Sequence, residues 1–197
     1  MNAALLLAVS AVASSPADPL LARLESAAFL EADFVQSDFW ALTRETETSS
    51  GHLSLAFPDM FRFEYTSPSP RETGFDGTTL YTVEHSSRQV IVNSEGSCCG
   101  FMSFLDHARD ESLVASSGVT GDMVTVRLEG DLGEGISEME MRFTAGDSLP
   151  VSLSTTDVNG NSTTWYLSGV TISRLCPPGA FSLTVPPGYE TIRPGGP

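Results

Sequence analysis

Lysine is absent from this sequence of 197 residues, whose ten basic residues are all arginine and are outnumbered by 25 Asp and Glu. The formal net charge at pH 7 is −15. A surface of this sign repels nucleic-acid backbones and anionic headgroups, which excludes nonspecific binding to DNA, RNA or a charged membrane surface. Charged residues nevertheless make up only 18% of the chain, and hydrophobic ones 41%. This composition is too apolar for a disordered acidic tail and indicates one folded domain.

Long hydrophobic runs are also lacking. The apolar stretch at residues 1–13 is shorter than the roughly 20 residues of a membrane-spanning helix, and it ends in Ala11-Val12-Ala13, which has the form of a signal-peptide cleavage site. We therefore predict a signal peptide over residues 1–13 and a single domain over 14–197. The first two residues carry no Lys or Arg, as in a weak signal or a late start codon. No cysteine follows the run, which predicts an exported, soluble product without an acyl anchor.

Cysteine is scarce, because Cys98, Cys99 and Cys176 are the only three and allow at most one intrachain disulfide. In an exported protein, the favoured pairing joins Cys98 or Cys99 to Cys176. A vicinal Cys98–Cys99 bridge would be strained and is the less favoured alternative. The three cysteines together with His107 match no zinc-binding spacing, so we predict no metal site.

Catalytic motifs are missing as well. The sequence contains no G-x-S-x-G elbow and no G-x-G-x-x-G loop, and a phosphate-binding G-x-x-x-x-G-K-S/T loop is impossible without lysine. His52, His85 and His107 are scattered over a predicted strand, a hairpin tip and a helix, without metal-ligand spacing. The sequence therefore predicts a protein that is not an enzyme and needs no cofactor.

Two short helices are predicted. Asp18-Pro19 is typical of a helix start, and the apolar residues that follow recur at helical spacing, which predicts a helix ending near Leu30. A second amphipathic helix is predicted over residues 101–109.

The rest of the chain alternates apolar and polar residues from Ala32 onward, the period of strands with one dry face. Strands are predicted around residues 53–57, 61–65, 78–84, 88–93, 122–129, 136–145, 149–157 and 162–172, followed by a tail after Pro187. Gly- and Asn-containing turns such as Asp76-Gly77 separate them. The predicted fold is mainly β (α+β), a strongly curved antiparallel sheet that forms an unclosed half-barrel with short helices over its concave face.

The apolar face of this sheet carries more large side chains than two short helices are expected to cover. One interpretation is an ordinary hydrophobic core. The other is a cavity for an oily ligand, since Phe and Met suit a surface that adapts to flexible chains. The residues predicted to line this acyl cavity are Phe34, Leu53, Leu55, Phe57, Phe61, Phe63, Tyr65, Leu80, Phe104, Leu105, Met139, Met141, Phe143 and Trp165.

An ordered set of motifs resembles the LolA-type outer-membrane lipoprotein carriers. The motifs are Ala32-x-Phe34-x-Gln36, Gly51-x-Leu53-x-Leu55-x-x-Pro58-x-x-Phe61-Arg62-Phe63-Glu64-Tyr65-x-x-Pro68, Asp76-Gly77-x-x-Leu80-Tyr81, Gln89-Val90-x-Val92, Leu149-Pro150, Asp157-x-x-Gly160-Asn161 and Phe181-x-Leu183-x-Val185-Pro186-Pro187-Gly188. Together they cover roughly residues 17–190. The order of the motifs carries the resemblance, because no single one is specific.

The resemblance implies a half-open β-barrel with helices as a lid, in a monomeric periplasmic protein that catalyses nothing. Such a carrier accepts acylated lipoproteins from an inner-membrane ABC-type release complex and delivers them to an outer-membrane acceptor. The alternatives are a lipid or glycolipid shuttle and a lipid-sensing regulatory module of the same fold.

One position departs from the family. The carriers usually have a basic residue immediately before the motif proline, where it hydrogen-bonds to the lid. Here that position is Phe57, and Arg62 alternates onto the other face of its strand. The sequence therefore predicts a lid that closes on Phe57 by apolar contact.

Overall fold

The computed structural model describes residues 17–93 and 100–193. Within them lie two α-helices, α1 (Asp18–Glu25) and α2 (Gly100–His107). The strands are β1 (Phe29–Trp40), β2 (Glu45–Ala56), β3 (Met60–Ser67), β4 (Arg71–Phe75), β5 (Leu80–Glu84), β6 (Gln89–Asn93), β7 (Val114–Thr120), β8 (Met123–Glu129), β9 (Ile136–Thr144), β10 (Pro150–Asp157), β11 (Ser162–Ser173) and β12 (Glu190–Ile192). No described helix is long and apolar enough to cross a membrane.

All twelve strands form one sheet, in the order β12-β6-β5-β4-β3-β2-β1-β11-β10-β9-β8-β7. The sheet is strongly curved and does not close, and both helices pack on its concave face. This confirms the predicted mainly β half-barrel. Among the described strands, the one exception to antiparallel pairing is β12, which runs parallel to β6 after the chain crosses from β11 to the far edge of the sheet.

Strand register places the apolar residues on the concave face. In β1, Leu30, Ala32 and Phe34 are buried, and Leu30 lies opposite Leu55 of β2, which in turn lies opposite Phe61 of β3. Because side chains alternate between faces, this register puts the apolar set of each strand beside that of its neighbour.

The first helix is shorter than the sequence predicts. It ends at Glu25, where the Ser26 hydroxyl donates a hydrogen bond to the Arg23 carbonyl oxygen at 2.8 Å. Phe29 and Leu30 instead begin β1 and pair with Ser173 and Ile172 of β11. Strand pairing with the distant end of the chain therefore overrides the local helical pattern.

Three strands were not predicted. The sequences of β4 and β7 contain glycine and mostly polar residues, so they lack a clear apolar alternation, and β12 has only three residues. Several predictions lie outside the described residues: the signal peptide at 1–13, and the Cys98 and Cys99 partners of the proposed disulfide. Cys176 itself is half-buried, beside a small cluster on the convex face.

The tail predicted after Pro187 instead contains β12, and the segment between β11 and β12, residues 174–189, stays on the sheet. This C-terminal strap covers the convex face, where Phe181 packs with Phe29 and Ala56 on the side opposite the helices. The hydroxyl of Tyr81, in β5, donates a hydrogen bond to the Phe181 carbonyl oxygen at 3.1 Å. Both faces of this half of the sheet are therefore covered.

Gly51 in β2 allows close strand contact. It lies opposite Tyr65 at a break in register, and a Cβ at this position would collide with the Glu64 carbonyl oxygen. Backbone atoms cannot move aside as a side chain can, so only glycine fits here.

We expect Gly51→Ala to lower the free energy of unfolding by about 1–3 kcal/mol, because the added methyl group is forced against backbone. Urea unfolding followed by circular dichroism measures this. The control is Gly118→Ala, since a Cβ at Gly118 meets nothing within 4 Å. Equal effects of the two substitutions would contradict the explanation.

Tyr81 makes the free energy of unfolding depend on pH in the alkaline range. Burial raises the pKa of its hydroxyl well above the ordinary value, and the nearby Glu72 carboxylate raises it further. Above about pH 10 the unfolded chain therefore loses this proton while the folded chain keeps it, which favours unfolding. The stabilising contribution is complete below that pH and declines as the pH rises.

We expect Tyr81→Phe to flatten the decline in unfolding free energy between about pH 9 and pH 11, the range around the ordinary tyrosine pKa. At neutral pH the same substitution should cost about 1 kcal/mol through the lost hydrogen bond. Tyr166→Phe, at an exposed tyrosine, serves as the control and should leave the pH dependence unchanged. A Tyr81→Phe profile parallel to that of the unsubstituted protein would contradict the assignment.

Candidate functional site: an apolar compartment under two helices

The fourteen residues predicted to line an acyl cavity all lie in one hydrophobic cluster on the concave face. Ten are buried, and four are partly buried at the margin of the cluster: Phe57, Tyr65, Leu80 and Trp165. The structure thus brings together side chains from strands at both ends of the chain. Their role in binding stays a prediction.

Aromatic side chains make up one part of this compartment. The ring of Phe34 meets those of Phe63 and Tyr65 edge to face, with centroids 5.5 and 5.1 Å apart. These distances fall in the favourable range for aromatic pairs. The rings come from β1 and β3, which are separated by β2, and they approach each other over Gly51, which has no side chain.

The two helices fill the compartment in this conformation. Leu20 and Leu24 of α1 are buried in the same cluster as the strand residues, together with Phe101 and Met102 of α2. Phe104 of α2 is 0% exposed. The sequence predicts too little helix to cover the apolar face, but the structure shows it covered, because nearly every large side chain of the helices points inward. A ligand at these strands would have to displace the helices.

Pockets lie at the edges of the helices, and two of them are lined by described residues of α2. One, of about 320 Å³, lies between α1, α2 and Phe57-Pro58. The other, of about 350 Å³, lies between α2, the loop before β9 and Trp165. Both are at the small end of the range for ligand pockets, about 300–1,000 Å³. They flank the filled compartment on either side of α2.

An ion pair joins the helices. Arg109, just after α2, contacts Glu25 of α1 at 2.9 Å and Asp106 of α2 at 3.0 Å. All three side chains are largely exposed, so the pairs contribute at most about 1 kcal/mol each. Phe57, at the position where the resemblance leads one to expect a basic residue, packs against the cluster by apolar contact.

The compartment ends in a polar network around Gln36. Its Oε1 accepts hydrogen bonds from the Tyr65 hydroxyl at 2.8 Å and from Trp165 Nε1 at 3.0 Å. Its Nε2 donates to the Asp38 carboxylate at 2.8 and 3.0 Å. Burial raises the pKa of Tyr65, and nearby Arg71 opposes that rise. The network therefore satisfies the buried polar atoms at the point where the concave face changes from apolar to polar.

Sequence reasoning missed several members of this site. Gln36 is part of a recognised motif, but nothing in the sequence pairs it with Trp165, which is 129 residues away. Val124, Val126 and Leu128 of β8 also belong to the cluster. Their alternation within a predicted strand is the signal that would have found them.

The described residues hold no cluster of side chains suited to bind a metal ion. They contain no set of three or more His, Cys, Asp or Glu side chains placed to hold a metal ion. His52 contacts the exposed Asp33 at 3.1 Å, His85 contacts the Tyr189 hydroxyl at 2.8 Å, and His107 contacts the Ser103 carbonyl oxygen within its own helix. What the arrangement can do is bury apolar groups.

Sequence comparison with known proteins identifies the family that the sequence motifs resemble. The family described as "Outer membrane lipoprotein carrier protein LolA" matches residues 25–184. An outer-membrane lipoprotein carrier protein from Chromobacterium violaceum is 28% identical over 194 residues, covering 94% of this chain and 91% of that protein. Another from Alkalilimnicola ehrlichii is 25% identical over 185 residues, covering 85% of this chain and 78% of that protein.

Among solved structures, an uncharacterized conserved protein from Thermus thermophilus is similar with a TM-score of 0.59 and 13% identity. The match covers 91% of this chain and 99% of that chain. At this identity the likeness shows the fold alone.

Proposed function

Because the chain belongs to the LolA family of outer membrane lipoprotein carrier proteins, we propose that it binds the acyl chains of lipoproteins in its apolar compartment and moves them from the inner to the outer membrane. In this proposal it works in the periplasm as a monomer and catalyses no reaction. It accepts its cargo from an ABC-type release complex in the inner membrane and passes it to an acceptor in the outer membrane.

The observation that carries the proposal is the cover over the apolar face. Two helices of eight residues each close the concave side of a twelve-stranded sheet, and each is followed by a loop that leads to the next strand. As far as the structure describes the chain, apolar packing and the Arg109–Glu25 ion pair join them to each other. A cover of this kind can be displaced without breaking the hydrogen bonds of the sheet.

The energetics favour exchange of one apolar partner for another. Burying an acyl chain gains about 0.8 kcal/mol per CH₂, so a chain of about 16 carbons gains roughly 12 kcal/mol at most. Moving the helices away separates their apolar side chains from the strands, and exposing this apolar surface to water costs free energy of the same hydrophobic origin. The difference between the two terms sets the affinity, and a costly opening lets the carrier release its cargo.

The acidic surface supports the same role. With a net charge of −15, the outside of the protein is repelled by anionic headgroups, so the carrier does not remain on a charged membrane surface. A protein that buries apolar cargo and avoids membranes is suited to crossing an aqueous compartment.

Native mass spectrometry of the protein purified from its own cell envelope tests the cargo. We expect a bound mass that matches an acylated lipoprotein. Recovery of phospholipid or glycolipid alone would favour a lipid shuttle of the same fold instead. Recovery without any hydrophobic ligand, together with failure to take up a fluorescent fatty acid, would contradict both functions.

Substitution of two buried phenylalanines distinguishes the role of the helical cover from that of the proposed binding surface on the sheet. Phe104 lies on α2 and is 0% exposed, and Phe143 lies on β9 and is 1% exposed. Replacing either by Ala should lower the free energy of unfolding by about 3–5 kcal/mol. We expect Phe104→Ala to bind a fluorescent fatty acid more tightly, because less apolar contact is lost on opening. Phe143→Ala should bind it more weakly.

Unfolding curves and probe titrations of the two variants measure these effects. If either protein fails to fold, Phe104→Leu and Phe143→Leu give the same comparison with smaller changes. A decrease in affinity for both variants would contradict the assignment of α2 as a displaceable cover.

A further inference from the structure

Acidic residues face each other directly across neighbouring strands at three places in the described sheet. The pairs are Glu64 with Glu72, Glu129 with Glu138, and Asp38 with Glu47. Like charges placed opposite each other in an antiparallel pair destabilise the sheet. Each pair therefore requires a source of positive charge or lowers the stability of the fold.

An arginine from the same sheet bridges the first pair. Arg62 Nη2 lies 3.1 Å from a Glu64 carboxylate oxygen and 2.8 Å from a Glu72 carboxylate oxygen. The guanidinium lies between the two acids and neutralises their repulsion.

The second pair is bridged in the same way. Arg127 Nη2 lies 2.8 Å from oxygens of both Glu129 and Glu138. Two of the three acid pairs thus follow one rule, in which a single arginine serves both carboxylates.

The third pair differs. Within the described part of the chain, the Asp38 carboxylate accepts hydrogen bonds only from neutral groups, namely Gln36 Nε2 and, at 2.7 Å, the Thr163 hydroxyl. Among residues 17–93 and 100–193, no arginine or histidine forms an ion pair with Asp38 or Glu47. The positive charge that the other two pairs receive from the chain is not supplied here.

Both carboxylates line a polar cavity of about 610 Å³ at the end of the concave face. Glu84, Arg71 and a set of hydroxyl groups line it too, so three carboxylates face one guanidinium. That guanidinium is directed over the Tyr65 ring, 4.1 Å from its centroid. The hydroxyl oxygen of Ser49, a further lining residue, is buried and has no hydrogen-bond partner among the described residues.

The cavity adjoins the apolar compartment. Tyr65 lines the cavity and also packs on Phe34 within the hydrophobic cluster, and Gln36 connects Tyr65 to Asp38. A ligand whose acyl chain lies among the apolar residues would therefore place its polar part beside Asp38 and Glu47.

We propose that this cavity binds a cationic group of the acylated ligand, a Lys or Arg side chain in the polypeptide next to the acyl chains, which bridges Asp38 and Glu47. The inference rests on the proposed function and adds to it a preference for acylated ligands that carry a positive charge beside the acyl chains. The ammonium or guanidinium group takes the place that Arg62 and Arg127 occupy at the other acid pairs. An anionic phosphate headgroup would be repelled at the same position.

The test compares two palmitoylated peptides of the same sequence, one with two free lysines and one with both lysines acetylated. Each displaces a fluorescent fatty acid from the full protein at low and high ionic strength. We expect the lysine peptide to bind about three- to tenfold more tightly at low ionic strength, as for charged pairs that are partly exposed. At high ionic strength the difference should shrink, because salt screens the interaction.

Glu47→Gln should remove this preference and leave the affinity for the acetylated peptide unchanged. Glu129→Gln is the matched control, since it removes the same charge elsewhere on the sheet, and it should keep the preference. In urea unfolding without ligand, Glu47→Gln should raise the midpoint by relieving repulsion, whereas Glu129→Gln should not.

Three results would overturn the inference: equal affinities for the two peptides, a preference that survives Glu47→Gln, or one that both variants lose equally. Failure of the fatty acid and of both peptides to bind would instead contradict the proposed function, and the inference with it.

Discussion

A β-strand directs successive side chains to opposite faces, and in this open sheet both faces carry apolar residues that need cover. A closed barrel would hide one set inside itself, but this sheet leaves its concave face open at the margins. The two helices cover that face, and the C-terminal strap covers part of the other. The strap leads into β12, which pairs with β6, and residues 26–28 connect α1 to β1, so neighbouring strands anchor both covers. The proposed function requires the concave cover to move, because the helices occupy the apolar compartment.

Much of this arrangement could be predicted from the sequence, because alternation is a local signal. Strands with clear period-two patterns, such as β3 and β9, lie near their predicted positions, and so does α2. Contacts between distant residues could not be predicted, as with Gln36 and Trp165 or Arg109 and Glu25. The strap was not predicted for the same reason, because its few apolar residues form no local pattern and pack only against distant strands.

The departure at Phe57 changes the chemistry of the cover. The ring packs into the cluster next to the pocket between the helices, where the resemblance implies a polar contact in related carriers. In this chain the charged contact is Arg109 with Glu25, at the surface and between the two helices. Closing the cover on the strands thus depends on apolar packing, while the alignment of the helices with each other has an electrostatic contribution.

The position of β1 has a consequence for how the chain acquires its structure. β1 is the first strand in sequence, yet it lies between β2 and β11, and Phe34 pairs with Leu167. Two hairpin arrays, β1–β6 and β7–β11, can each form from local contacts, and the pairing of β1 with β11 joins them into one sheet. Closing so large a loop is slow compared with forming hairpins. The two arrays therefore become one continuous sheet only after β11 is available to pair with β1.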